Sequence, residues 1–163
     1  CVSFPDRDFP EAVSGARVFY LSRSRALTDI GDTFKDGNLK EVSEMLTNPA
    51  RCGIFLSRAR IRRLGFEMGL RSGVQNRSRM LENMFREAGA EGQIEELIKR
   101  IEDEAELWLG RFKVWSKECP PAKGAWSEWS SRARELKRSL GKARKWARDM
   151  EEEAPGAPFQ SQG

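Results

Sequence analysis

Apolar residues in the second half of the chain recur at intervals of three and four. One such series lies between Gln93 and Pro120 and contains Ile98, Ile101, Ala105, Trp108, Phe112 and Trp115. A second follows Pro121 and contains Trp126, Trp129, Ala133, Leu136, Leu140, Ala143, Ala147 and Met150. This spacing places each series on one face of an α-helix. It predicts two long helices separated by the Pro120-Pro121 pair.

Shorter helices are predicted in the first half. One is expected from Ala16 to Phe34, before the turn residues Asp36-Gly37. Asn38 and Glu41 have the spacing of a capping box, which predicts a second short helix starting there. Asn48-Pro49 ends that helix, because the residue before proline disfavours helical backbone.

The next helix is expected to start near Pro49, since proline suits the first helical turn. Its apolar positions continue without a break to Met68. Another short amphipathic helix covers Met80 to Ala88, and Gly89 and Gly92 interrupt it. No stretch alternates between apolar and polar residues, so no strand is predicted.

The stretch GAWSEWSS, Gly124 to Ser131, contains the Trp-Ser-x-Trp-Ser pattern of cytokine-receptor ectodomains. In those receptors the pattern accompanies β-strands, whereas here an Arg-, Lys- and Glu-rich helix surrounds it. Trp126 and Trp129 continue the apolar spacing of the last helix. We therefore interpret them, with Trp108 and Trp115, as core residues.

Together these patterns predict an all-α fold, an up-and-down four-helix bundle over residues 16–150. Residues 1–15 contain Pro5, Pro10 and two phenylalanines, and we expect an extended N-terminal arm there. Residues 151–163 are rich in acid, Pro and Gly and predict a flexible C-terminal tail. Three aromatic residues are the predicted anchors of the arm and tail on a partner: Phe4, Phe9 and Phe159.

Charge is arranged in blocks along a chain whose formal net charge is +4. Residues 51–79 carry 8 basic and 1 acidic residue, and residues 107–148 carry 12 basic and 3 acidic residues. Residues 80–106 between them carry 3 basic and 9 acidic residues. One interpretation is neighbouring helices of opposite charge with solvated outer faces. The other is a docking surface for an acidic partner, for which the candidate residues are Arg58, Arg60, Arg62, Arg63, Lys142, Arg144, Lys145 and Arg148.

The composition argues against catalysis. The chain has no histidine, which removes the usual general base and the commonest metal ligand. The carboxylates from Glu102 to Glu106 point in different directions on a helix and are interpreted as a solvated face. Cys52 and Cys119 could form a disulfide, although two buried thiols are the favoured interpretation. We expect no enzyme activity, cofactor, metal or small-molecule substrate, and no apolar run is long enough to span a membrane.

The stretches DGNLKEVSEMLTNP, Asp36 to Pro49, and LSRARIRRLGFEM, Leu56 to Met68, follow Phe19-Tyr20-Leu21. This order resembles the PsbQ-like extrinsic subunits of photosystem II. The resemblance implies a four-helix bundle on the lumenal face of the thylakoid membrane that supports the oxygen-evolving site without catalysis. It also implies a transit peptide removed ahead of Cys1.

Two alternatives to this docking subunit stay open. A nucleic-acid-associated helical protein, of the viral nucleoprotein or matrix type, would use the basic blocks to contact phosphates. It is less favoured, because tryptophans such as Trp126 and Trp129 lie on the apolar face rather than forming a stacking platform along the basic runs, and the net positive charge is modest. A secreted four-helix signalling protein is the third class.

Overall fold

The structure is a computed structural model that describes residues 30–153. The predicted arm, most of the predicted helix from Ala16 to Phe34, and residues 154–163 lie outside the described residues. Between residues 30 and 153 the chain forms α-helices and no strand, which confirms the all-α class. The α-helices are α1 Ile30–Lys35, α2 Leu39–Leu46, α3 Pro49–Cys52, α4 Arg58–Met68, α5 Arg77–Ala90, α6 Ile94–Glu118 and α7 Lys123–Glu153.

The two predicted long helices are α6 and α7, which pack against each other as an antiparallel hairpin. A 3-10 turn, Pro120–Ala122, joins them. The residues of the predicted apolar faces are buried at most positions, including Ile101, Trp126 and Leu140. Three of the four tryptophans predicted to be core are half-buried and pack against the core: Trp108, Trp115 and Trp129. Met150, the last predicted position of the α7 face, is exposed instead.

The shorter helices close the core against this hairpin. Phe34 of α1 makes edge contacts with Phe85 of α5 at 5.6 Å and with Trp146 of α7 at 5.5 Å between ring centroids. The predicted start of α2 is confirmed, because the Asn38 side chain accepts a hydrogen bond from the backbone N–H of Glu41 at 3.2 Å. Val42, Met45 and Leu46 of α2 are buried in the core.

The single helix predicted from Pro49 to Met68 is wrong. α3 ends at Gly53, whose φ of 77° lies in the left-handed region that favours glycine. The chain is then non-helical until Ser57, whose side chain accepts a hydrogen bond from the backbone N–H of Arg60 and starts α4. Gly53 lies so close to α7 that an added Cβ would be 2.7 Å from the backbone nitrogen of Ala133. This close approach, which periodicity cannot reveal, is the reason for the break.

The C-terminal end of α7 lies at Glu153, three residues beyond the last position of its predicted apolar face, and Glu151 has a role in the fold. Gln93 makes no side-chain cap at the start of α6, and the Glu151 carboxylate instead accepts a hydrogen bond from the Ile94 backbone N–H at 3.2 Å. The carboxylate thus satisfies one of the backbone donors that a helix start leaves open.

None of the helices in residues 30–153 is long and apolar enough to cross a membrane.

Candidate docking surface

The acidic residues of α6 bind half of the cations predicted for docking on α7. The guanidinium of Arg144 lies 2.6 Å from Glu102, and Nε of Arg148 donates to Glu95 Oε1 at 2.9 Å. Lys137 pairs in the same way with Glu106. Arg144 and Arg148 are therefore engaged within the fold.

Half of the cations predicted for docking on α4 are likewise paired with carboxylates of the fold. Nε of Arg60 donates to Glu104 of α6 at 2.6 Å, and Arg63 donates to Glu67 at 2.9 Å. Glu104 follows Glu102 by two residues, so the two carboxylates point about 200° apart around α6. α6 consequently pairs with α4 on one side and with α7 on the other, so Arg60 and Arg144 lie on different sides of α6.

The other predicted docking cations are Arg58, Arg62, Lys142 and Lys145. All four are exposed, and none forms an ion pair with a carboxylate of residues 30–153. Arg58 and Arg62 lie on the outer face of α4. Lys142 and Lys145 lie on α7, together with two further exposed arginines.

Those two arginines, Arg134 and Arg138, complete what we call the cationic row: Arg134, Arg138, Lys142 and Lys145. Successive members are four, four and three residues apart, which places them within about 80° of each other on an ideal helix. The row points away from the buried positions of α7 and extends about 16 Å along the helix. No member pairs with a carboxylate of the described chain, whereas the α6-facing cations do.

Of the α7 cations predicted for docking, Lys142 and Lys145 belong to this row, whereas Arg144 and Arg148 pair with α6. Arg134 and Arg138 belong to the row but were not among the predicted docking residues. The signal that separates them is the helical phase. Residues opposite the apolar face of α7 point to solvent. Residues rotated by about 60–100° from the centre of the apolar face, which is roughly the rotation between neighbouring residues, face α6.

The electrostatic environments of the α6 carboxylates follow from this pairing. The hydrogen bond from Arg148 lowers the pKa of Glu95 below its ordinary value. Burial raises the pKa of Glu102 despite the opposing charge of Arg144. An added Cβ on Gly141 of α7 would lie 3.3 Å from Glu102 Oε1, so glycine leaves room for this carboxylate between the helices.

The described residues contain no group of three or more Cys, Asp or Glu that could hold a metal ion. Cys52 is buried and does not form a disulfide with Cys119. Burial raises the pKa of the Cys52 thiol to about 12, so the thiol is neutral at physiological pH and unsuited to nucleophilic attack. The predicted anchors Phe4, Phe9 and Phe159 lie outside the described residues.

No family model, no curated protein and no solved structure matches the chain.

Proposed function

We propose that the chain is a non-catalytic structural subunit that docks on an acidic surface of a larger protein complex through the cationic row of α7. One observation carries this proposal. Arg134, Arg138, Lys142 and Lys145 are exposed and form no ion pair in the described chain, while Lys137, Arg144 and Arg148 of the same helix are paired.

The cationic row is complementary in charge to an acidic protein surface. A cluster of four like charges on one helix face attracts an oppositely charged surface before contact, which raises the association rate and fixes orientation. Because the row is solvent-exposed, its attraction is screened over about 8 Å at physiological ionic strength. Salt should therefore release the subunit, as it does for peripheral proteins held by charge.

The proposed fold includes residues outside the range 30–153. The helices α1–α7 would belong to an up-and-down four-helix bundle whose first helix includes residues before Ile30. Phe4 and Phe9 of the arm and Phe159 of the tail would add apolar anchors beside the cationic contact.

The specific protein class that we propose for this function is a PsbQ-like extrinsic subunit of photosystem II in the thylakoid lumen. It rests on the resemblance of the stretches Asp36 to Pro49 and Leu56 to Met68. In this case the complex would be photosystem II, and the subunit would shield and brace the oxygen-evolving site.

The test is a density gradient of gently solubilised source membranes, run before and after a high-salt wash, and followed by rebinding of purified protein. The wild-type chain should travel with a pigment–protein complex, leave it in high salt and rebind at low salt. The variant Arg138→Glu/Lys142→Glu should fail to rebind.

The matched control is Lys113→Glu/Lys117→Glu, which makes the same change in net charge at two exposed lysines of α6. This control should rebind like the wild type. Rebinding of the row variant at wild-type level would refute docking through the row. Migration of the wild-type chain apart from every complex would refute the docking function itself.

A further inference from the structure

The cationic row continues into two carboxylates on the same face of α7. Asp149 follows Lys145 by four residues and Glu152 follows Asp149 by three, so both fall in line with the row. Asp149 and Glu152 are exposed, and neither forms an ion pair within residues 30–153. This outer face of α7 thus has four positive charges followed by two negative charges.

This order of charges distinguishes among acidic partners. A nucleic-acid strand carries negative charge throughout its length, so the Asp149 end would repel it. A bilayer surface of anionic lipid would gain from apolar side chains that insert beside the cations. The positions flanking the row at its other end are Ser127 and Ser131, which are exposed and small and supply neither insertion nor base stacking.

We propose that this face binds an acidic α-helix of the partner, laid alongside α7, with a positive charge at one end opposite Asp149 and Glu152. Two helices rise by the same distance per residue, so carboxylates spaced by three and four residues can stay opposite the row over its whole length. The two negative charges of α7 fix the direction, because the reversed helix would set like charges against each other. This inference rests on the proposed function and specifies its partner.

The test uses two helical peptides of identical composition as probes. In one peptide four glutamates with the spacing of the row precede two lysines, and in the other the lysines come first. Each carries a paramagnetic label at its lysine end, and amide spectra of the isotope-labelled full chain are recorded at low salt with millimolar peptide.

Both peptides should shift the amides around Arg134 to Glu152, and both labels should broaden the Asp149 end of α7 more than the Arg134 end. The variant Arg138→Glu/Lys142→Glu should bind at least about tenfold more weakly, whereas Lys113→Glu/Lys117→Glu should stay within about twofold of wild type. The variant Asp149→Lys/Glu152→Lys should still bind but should lose the preference for one end.

Three outcomes would overturn the inference. One is the absence of amide shifts along α7 with either peptide, and another is equal broadening at both ends of the wild-type helix. The third is a larger response of the row to a single-stranded oligonucleotide or to phosphatidylserine vesicles than to the peptides.

The membrane rebinding experiment distinguishes failure of the acidic-helix inference from failure of the proposed function. If the row variant fails to rebind the complex but neither peptide binds, docking through the row stands and the acidic helix is wrong. If the peptides bind but the row variant rebinds normally, the proposed function is wrong.

Discussion

Replacing Gly53 by alanine should destabilise the fold far more than one methyl group would suggest. Gly53 ends α3 with φ at 77°, and an L-residue there carries a backbone cost of about 1 kcal/mol. The added Cβ would also lie 2.7 Å from Ala133 N, 2.8 Å from Trp129 O and 2.8 Å from Arg132 Cβ. Two of these atoms belong to the backbone of α7, which cannot move aside as a flexible side chain can.

The magnitude follows from adding these two effects. Overpacking of a well-packed contact costs about 1–3 kcal/mol, and the rigidity of a helix backbone places this case at the upper end. Together with the conformational cost, we expect a loss of about 3–4 kcal/mol in the free energy of unfolding. For a chain of this size that corresponds to a fall of roughly 10 °C in melting temperature.

The assay is urea unfolding followed by circular dichroism, with Gly92→Ala as the matched control. Gly92 has φ at 66°, but an added Cβ would meet no atom of the described chain within 4 Å. The control should therefore lose only about 1 kcal/mol. Equal losses in the two variants would refute the close approach of α3 to α7, and with it our explanation of the break in the helix.

Three further predictions concern α6 and α7. Trp126→Ala removes a buried ring that stacks on an aromatic neighbour with 6.0 Å between ring centroids, and should lower the free energy of unfolding by about 3–5 kcal/mol. An unchanged melting temperature would contradict the place of Trp126 in the core. Glu151→Ala removes the cap of α6 and should lower the free energy of unfolding, measured in urea, by about 1 kcal/mol. The control Glu153→Ala, at an exposed position, should lower it much less. Because Arg148 lowers the pKa of Glu95, the stability from this pair is present above the ordinary carboxyl pKa and lost as pH falls through the lowered value. An NMR titration should show the pKa of Glu95 rising in Arg148→Gln, and an unchanged pKa would refute the pairing.

The sequence predicted the helices and helix starts that depend on residues close together in the chain. The three- and four-residue spacing identified α6 and α7, because burial of one continuous face is enough to determine a long helix. Asn38 marked the start of α2, since a cap needs only a side chain and a backbone N–H a few residues away. Pro49 marked the start of α3, because proline suits the first turn of a helix.

The features that the sequence did not predict depend on contacts between distant residues. The break at Gly53 exists because α7 passes next to it, and the apolar positions on either side continue the spacing of a helix. The capping of α6 by Glu151 joins residues 57 positions apart. At Gly53 the local pattern was compatible with a continuous helix, and in both places a tertiary contact decided the outcome.

The candidate docking surface shows the same division within a single helix. Arg144 and Lys145 are adjacent and each carries one positive charge, yet the first pairs with Glu102 and the second is exposed. A change of one residue rotates a side chain by about 100°, which is enough to move it from the α6 interface to the face opposite the core. Composition can therefore show that α7 is basic, but only the rotation of α7 relative to α6 shows which charges are already neutralised. The four cations of the cationic row lie in one line with Asp149 at its end. We expect this arrangement, rather than the net charge, to determine which partners the helix can bind.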